Sequence, residues 1–309
     1  MMEEYAGQVV IDIQGLTKHY GQLVAVDELK LAVQRDDIFG FVGPNGAGKT
    51  TTIRMLAGLV LPTDGDATIL GHSIRDDLHG ALRKTGVMIE TSAFYPHLSG
   101  CDNLHVISHL LGKGSERFIQ EALELVDLAR DAHRPYKDYS MGMKRRLDFA
   151  AVLLHEPDVL ILDEPTRGLD PLGTQWVHKV LRDLANEGKT IFFSSHSLHD
   201  VERLCNRVAL IHQGSLIFED TITNLLQRCS AVRMRFTDPV VARAVVATIE
   251  NIPLLSIDGD TFVVDTSQTD VETLLETLAQ HSLYPVEVGA HESLEHLFLE
   301  LVEKEEDKR

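Results

Sequence analysis

Gly43-Pro44-Asn45-Gly46-Ala47-Gly48-Lys49-Thr50 has the spacing GxxxxGK[ST]. It follows a predicted strand and opens a predicted helix, the context in which this pattern binds phosphate. Glycines let the backbone curl until its N–H groups point inward at phosphate oxygens. The helix that begins near Lys49 and runs on through Thr51 adds the positive end of its dipole. Lys49 is then placed to reach β- and γ-phosphates, and Thr50 to put a hydroxyl on Mg²⁺. A second feature lies downstream, where the apolar run Val159-Leu160-Ile161-Leu162 ends in Asp163 and Glu164. Alone, this is a buried strand with a solvated polar end. Beside a phosphate loop, Asp163 is expected to hold Mg²⁺, directly or through water. Glu164 is expected to orient or deprotonate an attacking water.

The elements around these residues alternate. Residues 9–13, 30–33, 38–42, 67–70 and 86–89 read as strands, and 50–59 as a helix. Residues 159–162, 190–194 and 207–212 read as buried strands of a mixed or parallel sheet. Between Pro96 and Arg130 the apolar spacing turns helical, over 103–111 and 115–129, with a glycine break between them. The predicted class is thus an α/β core carrying an inserted helical subdomain, about 91–155. From about residue 223 the order becomes βαββαβ plus a last helix, that of a small α+β, ferredoxin-like unit. We therefore expect domains at 1–222 and 223–309.

Composition narrows the class further. The chain has 309 residues, 44% hydrophobic and 25% charged, ordinary values for a globular protein with a real core. Its net charge of −18 repels nucleic acid phosphates, so no nucleic acid partner is expected. Cys101, Cys205 and Cys229 show no CxxC spacing, so neither a disulfide framework nor a zinc site is expected. The opening MMEEYAGQVV lacks a basic and then apolar leader, and no stretch approaches the roughly 18 apolar residues of a membrane helix.

Three more clusters complete the pattern. Tyr139-Ser140-Met141-Gly142-Met143 precedes a predicted helix, 144–154, that leads into the Asp163 strand. Pro165-Thr166-Arg167-Gly168-Leu169-Asp170 follows Glu164, and a later strand ends in Ser194-Ser195-His196. With these residues in this order, the segment from Val9 to Thr221 resembles the ATP-binding-cassette (ABC) ATPases.

The resemblance implies ATP and Mg²⁺ as ligands. It gives Tyr20 the adenine-stacking role, which needs only a flat π face. It makes Ser140 and Gly142 the signature loop that caps the γ-phosphate held by an opposite subunit, and Asp170 part of the loop crossing that interface. His196 matches the histidine that hydrogen-bonds the γ-phosphate; the other fourteen histidines read as surface or core groups. Glu90 stands where most of the family has glutamine, and adds negative charge near Mg²⁺ and the attacking water. YSMGM also replaces the usual LSGGQ. Both departures are similar to bacterial export ATPases of the bacitracin-resistance and lantibiotic-immunity type.

The implied assembly is a head-to-tail dimer, with itself or a sister chain, on polytopic membrane (permease) subunits at the cytoplasmic face. Phe94, Tyr95, Pro96 and Leu98 offer an apolar docking face for such a subunit, or else pack the subdomain joint. The alternative is a soluble mechanical ATPase acting on ribosomes or nucleic acid. One set of motifs, closely spaced, and the acidic charge weigh against it. A third reading makes the C-terminal unit a binding module for a small ligand or another subunit.

Overall fold

The computed structural model describes residues 8–89, 94–112, 116–228, 231–246, 254–266, 271–290, 297–298 and 301–303. β1 (Val9–Tyr20) and β2 (Leu23–Gln34) pair, and β3 (Ile38–Val42) leads through the glycine loop into α1 (Lys49–Leu56). β4 (Asp64–Ile69), β5 (His72–Ser73), α2 (Leu78–Leu82) and β6 (Thr85–Met88) follow. The inserted helices are α3 (Gly100–Leu110), α4 (Glu116–Leu125) and α5 (Met141–Leu153). The chain returns through β7 (Val159–Asp163), α6 (Pro171–Asn186), β8 (Thr190–Ser195), α7 (Leu198–Leu204), β9 (Arg207–His212) and β10 (Ser215–Thr221). After α8 (Ile222–Arg228) come β11 (Ala231–Arg235), α9 (Pro239–Val246), β12 (Leu254–Asp258), β13 (Thr261–Asp265), α10 (Val271–Gln280) and β14 (Glu287–Ala290).

The chain divides into two compact units, 1–219 and 220–309, a few residues earlier than the boundary expected from composition. In the first unit a sheet of order β2-β1-β4-β5 faces a six-stranded sheet of order β10-β9-β3-β8-β7-β6 across one core. Every residue of β7 and β8 is buried, because layers cover both faces of that sheet. Phe192 anchors this core, 5.3 Å from Phe41 and 5.9 Å from Phe39 between ring centres. β1 and β2 are longer than their alternation suggested. Shifts of register around Ile13–Leu16 break the period of two while pairing continues, and Gly15 sits there at φ +64°.

Register is what assembles the site. In the parallel pairs Val42 lies beside Ser195 and Leu210, and Asp163 lies beside Ser194. The carboxyl ends of β3, β7, β8 and β9 are therefore level. All four release their following loops on one edge of the sheet, where ligands of such sheets bind.

The second unit has its own core, built by Val232, Met234 and Phe262 of the sheet and Phe236 just past β11, with Ala242, Val246, Leu274 and Leu278 of α9 and α10. Its sheet order is β12-β13-β11-β14 with the pairs antiparallel. The last helix expected, 293–303, lies mostly outside the described residues. Among the described residues no helix is long and apolar enough to cross a membrane.

Candidate functional site

The loop after β3 is held against the rest of its unit by its own backbone. Gly214 N–H donates to the Ala47 carbonyl at 2.9 Å, and Ala47 N–H to the Pro44 carbonyl at 3.2 Å. Gly48 sits at φ +108°, and a Cβ there would stand 2.5 Å from the Ala25 carbonyl oxygen. Both facts require glycine. Lys49 is 5% exposed; its ammonium donates to the carbonyls of Gly43 (2.6 Å) and Pro44 (3.1 Å). Burial lowers its pKa, and the nearby charges of Glu164 and Asp163 act in the opposite sense.

At the end of β7, Ser194 of β8 organises both acids. Its hydroxyl donates to Asp163 Oδ1 at 2.5 Å and accepts from Glu164 N–H at 2.9 Å. Asp163 is buried. Glu164 takes a left-handed backbone at φ +46° and lines the cleft beside the loop. Oε1 stands 4.0 Å from Lys49 Nζ; Oε2 stands 3.3 Å from His196 Nδ1 and 3.5 Å from Arg167 Nε. Oε2 is buried, yet neither neighbour meets it in hydrogen-bond geometry. A buried carboxylate oxygen left short of a partner costs about 1–3 kcal/mol, so it is poised to accept from a water or other donor.

These groups surround a cleft of about 540 Å³. Asn45 to Thr51, Glu164 and Arg167 line one side, with Tyr20, Leu23, Val24 and Ala25 as an apolar shelf and Gln213 beside them. Tyr20 is half exposed, with Lys18 Nζ 5.1 Å from its ring centre, and presents the flat face that a purine base needs. His196 and Glu164 share the adjoining recess with Arg167, Thr166 and Asp200. The arrangement can hold a polyphosphate on the loop and a base on the tyrosine, with a carboxylate at the far phosphate.

Ser140, Gly142 and Asp170 are brought together, but elsewhere. They line a cleft of about 280 Å³ that shares no lining residue with the first. Ser140 caps α5, accepting from Met143 N–H at 3.3 Å; Asp170 caps α6, accepting from Gly173 N–H at 2.7 Å. Tyr139 fixes the Ser140 loop from below. Its hydroxyl donates to the Asp131 carbonyl at 2.8 Å, and burial pushes its pKa up to about 12. Glu90 lies outside the described residues.

Two groups of residues have no role assigned from sequence. Arg167 lines both recesses of the loop side and stands beside Glu164. Thr166, His178 and Asp200 form a buried network: Thr166 Oγ1 donates to Asp200 Oδ2 at 2.8 Å, and His178 Nε2 lies 2.9 Å from Asp200 Oδ1. Asp200 N–H in turn donates to Ser197 Oγ at 3.3 Å. Asp200 thus ties the loop after Glu164 to the turn that carries His196. Thr166 and Asp200 are 34 positions apart, so no spacing rule joins them. Asp200→Ala is expected to leave buried His178 and half-buried Thr166 without this partner, lowering stability by about 1–3 kcal/mol and slowing any turnover at the site. The urea midpoint and kcat read these two effects. Burial lowers the His178 pKa despite the opposing Asp200 charge, so the folded chain holds its imidazole neutral. The unfolded chain takes up a proton below about 6.5, so stability is lost as pH falls from there toward the lower folded value. His178→Gln should flatten that limb of a stability–pH curve.

Phe94 is buried with its ring 5.1 Å from Tyr136, so it packs the subdomain joint, whereas Tyr95 and Pro96 are exposed. Buried Asn103 pins this stretch. Its Nδ2 donates to the carbonyls of Tyr95 (3.1 Å) and Ser99 (2.9 Å), and its Oδ1 accepts from Tyr95 N–H (2.7 Å).

Residues 26–167 match the family model described as ABC transporter. The chain is 35% identical, over 98% of both chains, to the bacitracin transport ATP-binding protein BcrA of Enterococcus faecalis. It is 40% identical to the lantibiotic transport ATP-binding protein SrtF of Streptococcus pyogenes, over 68% of this chain and 90% of that one. Among solved structures, an ATP-binding subunit of an ABC transporter superposes with a TM-score of 0.64 at 26% identity, covering 71% of this chain and 92% of the other.

Proposed function

The chain belongs to the ABC transporter family, and from that membership we infer a division of labour among its residues. It is an ATP-binding, ATP-hydrolysing subunit. The observation that carries this reading is the convergence of Lys49, Asp163 and Glu164 at the foot of one glycine loop and one helix N-terminus.

Gly43 and Asn45 to Thr51 cradle the phosphates through backbone N–H groups, with Pro44 only shaping the loop, and Lys49 exchanges its two carbonyl partners for phosphate oxygens. Tyr20 stacks on adenine. Glu164 accepts a proton from, and orients, the water that attacks the γ-phosphorus; Arg167 and His196 hold its carboxylate in place until the nucleotide arrives. Thr50, Asp163 and Glu90 would offer the oxygen donors that Mg²⁺ takes, and the partnerless Glu164 oxygen would accept from a water. When bound, Mg²⁺ neutralises charge on the phosphate oxygens.

The two separate clefts imply pairing. Ser140 and Gly142 line a different cleft from Lys49, so a second copy or sister chain would supply them head to tail. Hydrolysis removes the phosphate that bridges the pair and lets it open, a rigid-body movement that can drive another subunit. The relatives named for bacitracin and lantibiotic transport favour export of a drug, peptide or lipid-like cargo through separate permease subunits at the cytoplasmic face of the membrane. Tyr95 and Pro96 lie on the stretch expected to meet such a subunit.

The test is a tagged Glu164→Gln chain recovered from detergent-solubilised native membranes with ATP and Mg²⁺. A polytopic membrane protein at stoichiometric yield is expected. Recovery of ribosomes, or of no membrane protein, overturns the transporter reading in favour of a soluble mechanical role.

A further inference from the structure

The helical insertion holds a group of ligating side chains that ATP chemistry does not use. Cys101 and His105 lie one turn apart on α3, and Glu116 opens α4. Their ligand atoms all lie within 4.8 Å of one another. We propose that Cys101, His105 and Glu116 form a binding site for a thiophilic divalent cation, Zn²⁺ first among them, that clasps α3 to α4.

The donor set points to the ion. Sulfur, imidazole nitrogen and carboxylate oxygen are the protein ligands of zinc, whereas Mg²⁺ and Ca²⁺ take oxygen alone. Three protein ligands leave a fourth tetrahedral position for water. The geometry is close to closed. His105 Nε2 and Glu116 Oε2 are 3.0 Å apart, against about 3.3 Å between two such ligands on a tetrahedral zinc with bonds of about 2.0–2.1 Å. Even the widest separation leaves an ion about 2.8 Å from each donor, so each side must move by less than about 1 Å. His105 and Glu116 are both exposed enough to make that adjustment.

The cysteine is the rigid member. It sits in the first turn of α3, where Ser99 and Asp102 form a capping box and Cys101 N–H donates to the Ala132 carbonyl at 2.8 Å. Its thiol is buried. A cation binds it as the thiolate, and the thiol proton passes to solvent. No residue of this group lines the phosphate-loop cleft or the Ser140 cleft.

No paired-cysteine spacing marks this site in the sequence, which is why none was expected there. A cysteine and a histidine four residues apart on a helix share one face. The third ligand, Glu116, follows on the next helix and joins them only when α4 folds back on α3.

The test uses the full, untagged chain, reduced with a non-chelating phosphine, stripped of metal and titrated with Co²⁺ and then Zn²⁺. One equivalent of Co²⁺ is expected to give a thiolate-to-cobalt charge-transfer band that Zn²⁺ abolishes. Cys101→Ser should remove the band. His105→Ala and Glu116→Gln, at exposed positions that leave the fold intact, should each weaken Zn²⁺ binding at least tenfold. Retained ATP binding shows that every variant is folded. The proposal is overturned if no band appears, if the band survives Cys101→Ser or follows Cys229→Ser instead, or if Glu116→Gln binds Zn²⁺ as tightly as the parent.

Discussion

Glu164→Gln is expected to lower ATP turnover by about 10²–10⁴-fold, the usual worth of a positioned general base, while ATP still binds. The amide fills the same space and keeps the backbone bond from Glu164 N–H to Ser194, so the loop and Asp163 stay where they are. What disappears is an oxygen able to take a proton. The charge that disappears with it stood only 4.0 Å from Lys49, on the side where phosphate charge accumulates. Losing it removes a repulsion, so nucleotide affinity should hold or rise. The variant therefore collects ATP that it cannot split, and the paired form should accumulate. Phosphate release, equilibrium nucleotide binding and elution volume with ATP measure the three effects. Turnover at the parental rate would remove Glu164 from the role of base.

Lys49→Ala should act on the other side of the cycle and weaken ATP binding by about 10–100-fold, one to two decades for a lost charge-assisted contact worth about 1.5–3 kcal/mol. Lys49 is the buried cation at the phosphate loop and already holds the Gly43 and Pro44 carbonyls. The measured loss understates its direct contact with phosphate, because the parent must first give up those two bonds. Isothermal titration with ATP on a variant whose circular dichroism matches the parent is the direct check. Unchanged affinity would contradict the phosphate-loop assignment.

Much of this architecture was legible from local pattern. The strands at Arg207–His212 and Thr261–Asp265 begin and end where apolar periodicity placed them. α5 begins three residues earlier than its expected start, because Ser140 caps it and the weakly patterned Met141-Gly142-Met143 forms the first turn. α3 likewise starts at Gly100, where the Ser99–Asp102 box overrides a sparse apolar pattern. At the candidate site, residues that act through a fixed backbone motif could be read directly; the glycine loop and Lys49 are of this kind. Residues that act through partners distant in sequence could not. Arg167 sits in a motif that gives it no role of its own, and Asp200 sits in no motif. Only the level ends of β7 and β8 bring their neighbours into contact.

The backbone at Glu164 has a further implication for how this protein can change over generations. A non-glycine residue at φ +46°, a buried carboxylate and an oxygen without a proper partner are concentrated on one residue. Each works against stability, and the left-handed backbone alone costs on the order of 1 kcal/mol or more. The fold would be at greater ease with glycine there. Random substitution screened for heat resistance alone would therefore drift toward disarming the molecule at this position, and the glutamate persists only under selection for turnover. Stabilising changes compatible with activity must come from elsewhere, and the second unit, with its separate core, is where they interfere least.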